Sequence, residues 1–162
     1  MVRVMSEGDH EDWPDLAGRL ISGGHALPIR VYYEDTDFAG IVYHANYLRY
    51  CERGRSDYLR LLGIDQTALH GGQSGEPVNF VVRRMELDFI APARMDDVLE
   101  VETLFVDMSG ARLNLHQCVK RADVILFSAE VEIVLVNGQG KPRRLPKTIT
   151  EAFKSNHSDP KF

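Results

Sequence analysis

Hydrophobic and polar positions alternate along much of the chain, and the period of the alternation changes from one segment to the next. In residues 28–35, Ile29, Val31 and Tyr33 interleave with Arg30, Tyr32 and Glu34, the period-two pattern of a half-buried strand. A tight loop is expected next, because Asp35-Thr36-Asp37-Phe38-Ala39-Gly40 offers short side-chain acceptors and a glycine. The period then lengthens. Between residues 43 and 62, Tyr47, Tyr50, Cys51, Gly54, Tyr58, Leu61 and Leu62 recur at helical steps and mark one apolar face of an α-helix. Arg49, Glu52, Arg53, Arg55, Asp57 and Arg60 fill the rest, and Gly63 is placed to cap the C-terminus.

Residues 70–76 read as loop, and residues 78–137 as a succession of strands broken by turn signals. In the first strand, residues 78–91, Phe80 and Val82 keep one register while Met85, Leu87 and Phe89 keep the other, which predicts a bulge near Arg83-Arg84. Further strands are expected at residues 99–106, 113–120 and 125–136, with turns at Ser109-Gly110, Ala122-Asp123 and Asn137-Gly138. Such short connections join antiparallel neighbours. A last helical turn or two is expected at residues 147–153. Trp13, Leu16, Leu20 and Ile21, at roughly helical spacing before Gly23-Gly24, make residues 1–27 an N-terminal extension with a short helix. The domain proper then spans residues 28–153, followed by a flexible tail over residues 154–162. The sum is an α+β fold, one long helix wrapped by a curled antiparallel sheet, which is the hotdog architecture. A single helix cannot cover both faces of such a sheet. A homo-oligomer is therefore expected, either a dimer joined edge to edge or a dimer-of-dimers tetramer, with its sites between subunits.

Composition narrows the class. A chain of 162 residues, 44% hydrophobic and 27% charged, suits one folded domain and neither a disordered nor a fibrous protein. The formal net charge of −5, with both signs interleaved, argues against a nucleic-acid partner, and it means that an anionic ligand must find a local cluster of Arg and Lys. Cys51 and Cys118 lack CxxC spacing, so neither a disulfide framework nor a zinc ribbon is expected. No run approaches the ~20 apolar residues of a transmembrane helix. The acidic opening is also unlike a secretory leader, and the expectation is a cytoplasmic protein with no transmembrane segment.

One stretch carries a family signature. The residues Tyr32-Tyr33-Glu34-Asp35-Thr36-Asp37-Phe38-Ala39-Gly40-Ile41-Val42-Tyr43-His44-Ala45-Asn46-Tyr47 resemble the motif of YbgC-type acyl-CoA thioesterases, within the 4-hydroxybenzoyl-CoA thioesterase-like hotdog family. The resemblance continues through Glu52-Arg53-Gly54-Arg55, Phe80-Val81-Val82-Arg83-Arg84-Met85 and Phe89-Ile90-Ala91-Pro92-Ala93-Arg94-Met95-Asp96-Asp97, and it closes near Pro142-Arg143. It covers about residues 28–153 and leaves the first 27 aside. It implies an acyl-CoA thioesterase that needs no cofactor or metal, with Asp37 as the catalytic carboxylate. It also implies acyl carrier protein as a second acyl donor and a link to the Tol-Pal envelope system.

The chemistry asks for the same parts. Thioester hydrolysis needs a carboxylate that attacks the carbonyl or activates a water, and donors aimed at the oxygen that becomes anionic. Asp37 supplies the first from a loop, and the free N–H groups at the start of the helix, near Tyr43 to Ala45, supply the second. Tyr43 is expected to act through its backbone N–H. His44 either orients Asp37 or binds substrate, and Glu52, about two helical turns on, supports the site from the partner side. Coenzyme A phosphates are expected at Arg83, which borders the neighbouring subunit's helix start, or else at Arg84, Arg94 or the Lys141, Arg143, Arg144 and Lys147 cluster. Asp35 and Glu34 are weaker candidates, since strand alternation places Glu34 on a different face from Tyr33 and nothing singles out Asp35. A plain turn or cap role for Asp37 is the structural alternative, and a metal site at Asp35, Asp37 and His44 is unnecessary for an already reactive thioester. The rival function is a non-catalytic acyl-CoA or acyl-carrier binding module of the envelope or phospholipid pathway. A hotdog dehydratase is a third reading, and it would use a His and a helix-borne acid instead of the loop Asp.

Overall fold

The computed structural model describes residues 16–73 and 75–158. Two short strands, β1 (Arg19–Ile21) and β2 (Gly24–Arg30), form a hairpin, and a 3-10 turn at Tyr33–Asp35 leads through a loop into helix α1 (His44–Leu61). A second helix, α2 (Gln66–Gly71), precedes four strands, β3 (Val78–Phe89), β4 (Val98–Ser109), β5 (Arg112–Arg121) and β6 (Val124–Asn137), and helix α3 (Lys147–Ser158) ends the described chain. All six strands form one antiparallel sheet in the order β1-β2-β4-β5-β6-β3. The sheet does not close, so β1 and β3 are its edges.

Inward positions on the strands explain where the helix goes. Leu99, Val101 and Thr103 on β4, Leu113, Leu115, Gln117 and Val119 on β5, and Phe127, Ala129, Val131 and Ile133 on β6 are buried at every second residue. Glu100, Glu102, His116, Lys120, Glu130 and Glu132 point to the other face. Helix α1 lies across the inner face against β2, β4 and β5 and buries Tyr47, Tyr50, Cys51, Gly54, Arg55, Tyr58 and Leu59. This is the hotdog arrangement read from the sequence, and the expected bulge in β3 falls between Val82 and Arg84.

Gly54 sets the distance between helix and sheet. A Cβ there would stand 2.9 Å from Val101 Cγ1 and 3.2 Å from Thr103 Oγ1. Polar groups trapped at this contact satisfy one another. Gln117 Nε2 donates to Thr103 Oγ1 (2.8 Å) and to the Cys51 carbonyl (3.0 Å), while Gln117 Oε1 accepts from Arg55 Nη1 (2.8 Å). The other arm of Arg55 pairs with Glu52.

The chain ends depart from the sequence reading. Trp13 lies outside the described residues, but Arg19–Ile21 form an edge strand instead of a helix, and Leu16 and Leu20 stay exposed. Pairing of Arg19 with Ala26 and of Ile21 with Gly24 satisfies the backbone there, a tertiary option that outweighs local spacing. The domain therefore begins well before residue 28, and β2 ends at Arg30 because Tyr33–Asp35 turn. Part of the expected flexible tail, residues 154–158, belongs to helix α3. Residues up to Ser158 are helical, and residues 159–162 lie outside those described. Asn156 holds this end in place: its Nδ2 donates to the Ile21 carbonyl (3.0 Å), its Oδ1 accepts from the Tyr58 hydroxyl (2.9 Å), and its carbonyl accepts from Gly23 N–H (3.1 Å). Helix α2 was not expected. Asp65 caps it by accepting from Ala68 N–H at 3.0 Å.

The hairpin is pinned to α1 by His25, whose buried Nε2 lies 2.7 Å from Asp57 Oδ2. Burial pulls the imidazole below its usual value, although Asp57 pulls it upward. As pH falls through about 6.5, the unfolded chain takes up a proton at this position that the folded chain resists. Stability from His25 is thus complete above that pH and declines below it. Replacing His25→Gln is expected to flatten the loss of urea midpoint between pH 8 and pH 5.5. Separately, Gly54→Ala is expected to cost about 1–3 kcal/mol of unfolding free energy, measured by urea titration, because the methyl has no room.

Candidate active site

The chain between β2 and α1 folds back on itself as a small hairpin closed by a bridge between Thr36 and Val42. Asp37 N–H donates to the Ile41 carbonyl (2.9 Å), and Gly40 N–H donates to the Asp37 carbonyl (3.0 Å). Gly40 holds φ +77°, the left-handed region that such a turn requires. Asp37 is exposed, and its Oδ1 accepts from Ala39 N–H at 2.8 Å. The second carboxylate oxygen has no hydrogen bond among the described residues, so Asp37 serves the turn with one oxygen and presents the other.

Neighbouring segments hold this hairpin from both sides. Val42 N–H donates to the Ala93 carbonyl (2.8 Å), Ile41 bridges to Arg94, and the Tyr47 hydroxyl accepts from the buried Ala93 N–H (3.1 Å). At its base stands Asp35, which is buried. Its carboxylate accepts from Tyr32 N–H (2.8 Å), and its carbonyl accepts from Tyr43 N–H (2.8 Å) and from Asn46 Nδ2 (2.7 Å). The Tyr50 hydroxyl is buried alongside, and burial together with the Asp35 charge pushes its phenol far above the usual range.

These contacts decide which amides are open. The N–H of Tyr43, expected to face substrate, is committed to Asp35, so the open donors at the start of α1 are those of His44 and Ala45, which have no acceptor among the described residues. The helix dipole adds partial positive charge at the same place. The His44 side chain is exposed and stacks obliquely on Tyr43 (ring centroids 4.4 Å apart) and edge-on to Phe89 (6.1 Å). Among the described residues no hydrogen bond joins it to Asp37. Around the loop, Tyr32, Tyr33, Phe38, Phe89, Ile90 and Met95 leave an apolar rim exposed.

Other expected residues lie elsewhere in the single chain. Glu52 is exposed on α1, pairs with Arg55 and accepts from Ser56 Oγ (3.1 Å), roughly 12 Å along the helix from His44. Arg83 pairs with Glu132 across the β3–β6 ladder, roughly 20 Å along β3 from Phe89. Arg84 pairs with Glu86, and Arg143 with Glu76. At that far end of the sheet a cleft of about 580 Å³ is lined by Leu69, Val78, Leu135, Arg143, Arg144 and Pro146. Among the described residues no three His, Cys, Asp or Glu side chains are grouped to hold a metal.

Comparison with known proteins places this geometry in a family. Residues 39–128 match the Thioesterase superfamily, a span that runs from just after Asp37 into β6. The chain belongs to the thioesterase superfamily. Within that superfamily it is similar to the acyl-CoA thioester hydrolase YbgC of Escherichia coli O6:H1, at 46% identity over 129 residues, 78% of this chain and 93% of the relative. It is also similar to the acyl-CoA thioesterase YbgC of Haemophilus influenzae, at 39% identity over 135 residues, 83% of this chain and 97% of the relative. A probable thioesterase from Bartonella henselae superposes with a TM-score of 0.74 at 47% identity, covering 76% of this chain and 99% of that one. The protein is accordingly a thioester hydrolase. For such an enzyme, a carboxylate with a free oxygen and open helix-start amides are kinds of group that acyl transfer uses.

The Tyr47 hydroxyl supports the loop through the buried Ala93 N–H. Tyr47→Phe leaves the buried Ala93 N–H without an acceptor and is expected to cost about 1–3 kcal/mol, read from urea denaturation, with faster amide exchange at Val42.

Proposed function

We propose that this thioester hydrolase acts on acyl-CoA, releasing free acid and coenzyme A, with Asp37 as the catalytic carboxylate. The observation that carries the reading is the uncommitted oxygen of Asp37 in a loop braced against the helix start, where the His44 and Ala45 amides are open. Those amides would hold the thioester oxygen as it becomes anionic while Asp37 attacks the carbonyl or takes a proton from water. The His44 ring, stacked between Tyr43 and Phe89, would line the pocket for the acyl group instead of orienting Asp37. The relatives' names support acyl-CoA as substrate, and acyl carrier protein remains a candidate second donor through the same chemistry.

The working unit in this proposal is a homodimer that pairs the open edge of β3 with its counterpart. An edge strand of 12 residues leaves one side of its backbone unpaired, and Val81 and Val82 lie exposed on it. Antiparallel pairing about a two-fold axis brings the Val78 end of one β3 beside the Phe89 end of the other. The partner's basic cleft, with Arg144 and Lys147 near it, would then approach this chain's Asp37 loop and receive the coenzyme A phosphates. Arg83 would sit near the axis, already matched to Glu132. A cytoplasmic setting suits the substrate, and among the described residues no helix is long and apolar enough to cross a membrane.

The alternative of an acyl-binding module without turnover predicts no thiol release. Steady release from a panel of short, aromatic and long-chain acyl-CoAs, followed with a thiol reagent, distinguishes the two. Asp37→Asn is expected to lower kcat by about 100- to 10,000-fold in a folded protein. Near-normal turnover in that variant would overturn the role given to Asp37.

A further inference from the structure

We propose that Asn46 is a positioning residue, which sets the helix-start amides against Asp37 by clamping the base of the catalytic loop; this rests on the reading of Asp37 and those amides given above. The first clue is that α1 lacks an ordinary cap. Tyr43 occupies the N-cap position and makes no side-chain cap hydrogen bond. Helices usually satisfy their first N–H groups with a Ser, Thr, Asp or Asn at that position. Here the polar side chain stands on the third helical residue instead and points backward across the loop.

Asn46 is almost wholly buried, at 3% exposure, and both the oxygen and the nitrogen of its side-chain amide are engaged. Its Nδ2 donates to the Asp35 carbonyl (2.7 Å), its Oδ1 accepts from Arg49 Nη1 (3.0 Å), and its N–H donates to the Tyr43 carbonyl (2.8 Å). The Asp35 carbonyl also receives Tyr43 N–H (2.8 Å). One carbonyl before the loop thus takes two donors from the chain after it. Asp37 lies two residues after the clamped carbonyl, within the loop it closes, and His44 and Ala45 lie between the two donor residues, Tyr43 and Asn46. On the strand side the Asp35 carboxylate is itself fixed by Tyr32 N–H (2.8 Å).

The consequence is a division of labour. Under the proposed pairing the coenzyme A phosphates are bound by cations of the partner subunit and not by Asn46, whereas alignment of the carbonyl between carboxylate and amides uses the clamp. A displacement near 1 Å at such a site costs up to about 100-fold in rate. Losing the Asn46 donor should therefore lower kcat and leave KM nearly unchanged.

The test is steady-state kinetics with an acyl-CoA that the wild-type enzyme turns over. Asn46→Asp keeps the size and removes the donor, setting a carboxylate oxygen against the Asp35 carbonyl; Asn46→Ala removes the bond without adding charge. Both are assayed per mole of folded protein, with near-ultraviolet circular dichroism fixing the folded fraction. Expected is a 10- to 100-fold fall in kcat with KM within about threefold of wild type. If Asn46→Asp does not fold, Asn46→Ala carries the test alone. A folded variant with wild-type kcat, or a loss confined to KM, overturns the clamp. If both Asn46 variants keep full turnover while Asp37→Asn abolishes it, the clamp fails and the catalytic reading stands; if Asp37→Asn is also fully active, that reading fails first.

Discussion

Helix α1 can touch the sheet as closely as it does only because Gly54 has no side chain, and this contact fixes how the helix is rotated about its own axis. Each residue along a helix turns its neighbours by about 100°. Once Cys51 and Gly54 face Gln117 and Thr103, the directions of Tyr47, Tyr50 and Asn46 follow. Those three residues are the ones that hold the loop: Tyr47 through Ala93, Asn46 through Asp35, and Tyr50 beside the Asp35 carboxylate. The buried polar bonds of Gln117 and Arg55 sharpen this setting, since a rotated helix would strand them without partners. Packing in the middle of the helix therefore governs which amides are open at its start.

A turn role and the proposed catalytic role of Asp37 are compatible, because they use different oxygens. Its Oδ1 is the acceptor that the turn needs, so the side chain does not have to be immobilised at the moment a substrate arrives. The second oxygen has no hydrogen bond among the described residues, which is what the proposed role in catalysis would use. A carboxylate held by a backbone N–H loses little orientational freedom in reaching a transition state, which is the sense in which a structural role prepares a catalytic one.

Much of the fold was legible because periodicity is a property of side chains. The apolar face of α1, the four long strands and the bulge between Val82 and Arg84 all follow from which positions are hydrophobic. Where the decisive interaction was made by backbone, the sequence was silent. Asp35 matters through its carbonyl as much as through its carboxylate, and every residue type has a carbonyl. The N–H of Tyr43 was legible as a helix-start donor, but its partner was not. The hairpin at Arg19–Ile21 depends on an edge made by distant strands, and three residues cannot display a period. Helix α2 is too short for an apolar stripe, although Asp65 before it and Gly72 after it were usable start and stop signals. Arg83 pairs with Glu132 from its place at the bulge, a partner that only the folded sheet could show.

Charge gives the last step. With a net charge of −5, the protein as a whole repels an anion such as coenzyme A, so capture depends on where cations are left uncommitted. Arg83, Arg84, Arg121 and Arg143 are each matched to a carboxylate, and Arg83 holds Glu132 below the usual carboxylate range. Such pairs fix the sheet more than they attract a ligand. Arg144 and Lys147 lie at the opposite end of β6 from the Asp37 loop, too far along the strand for one chain to use both. Under the proposed β3 pairing, the partner's copies would occupy the place where this chain lacks them. The same operation would close the open strand edge and cover part of the apolar rim around Phe89, so one symmetry axis would answer three separate deficits of the single chain.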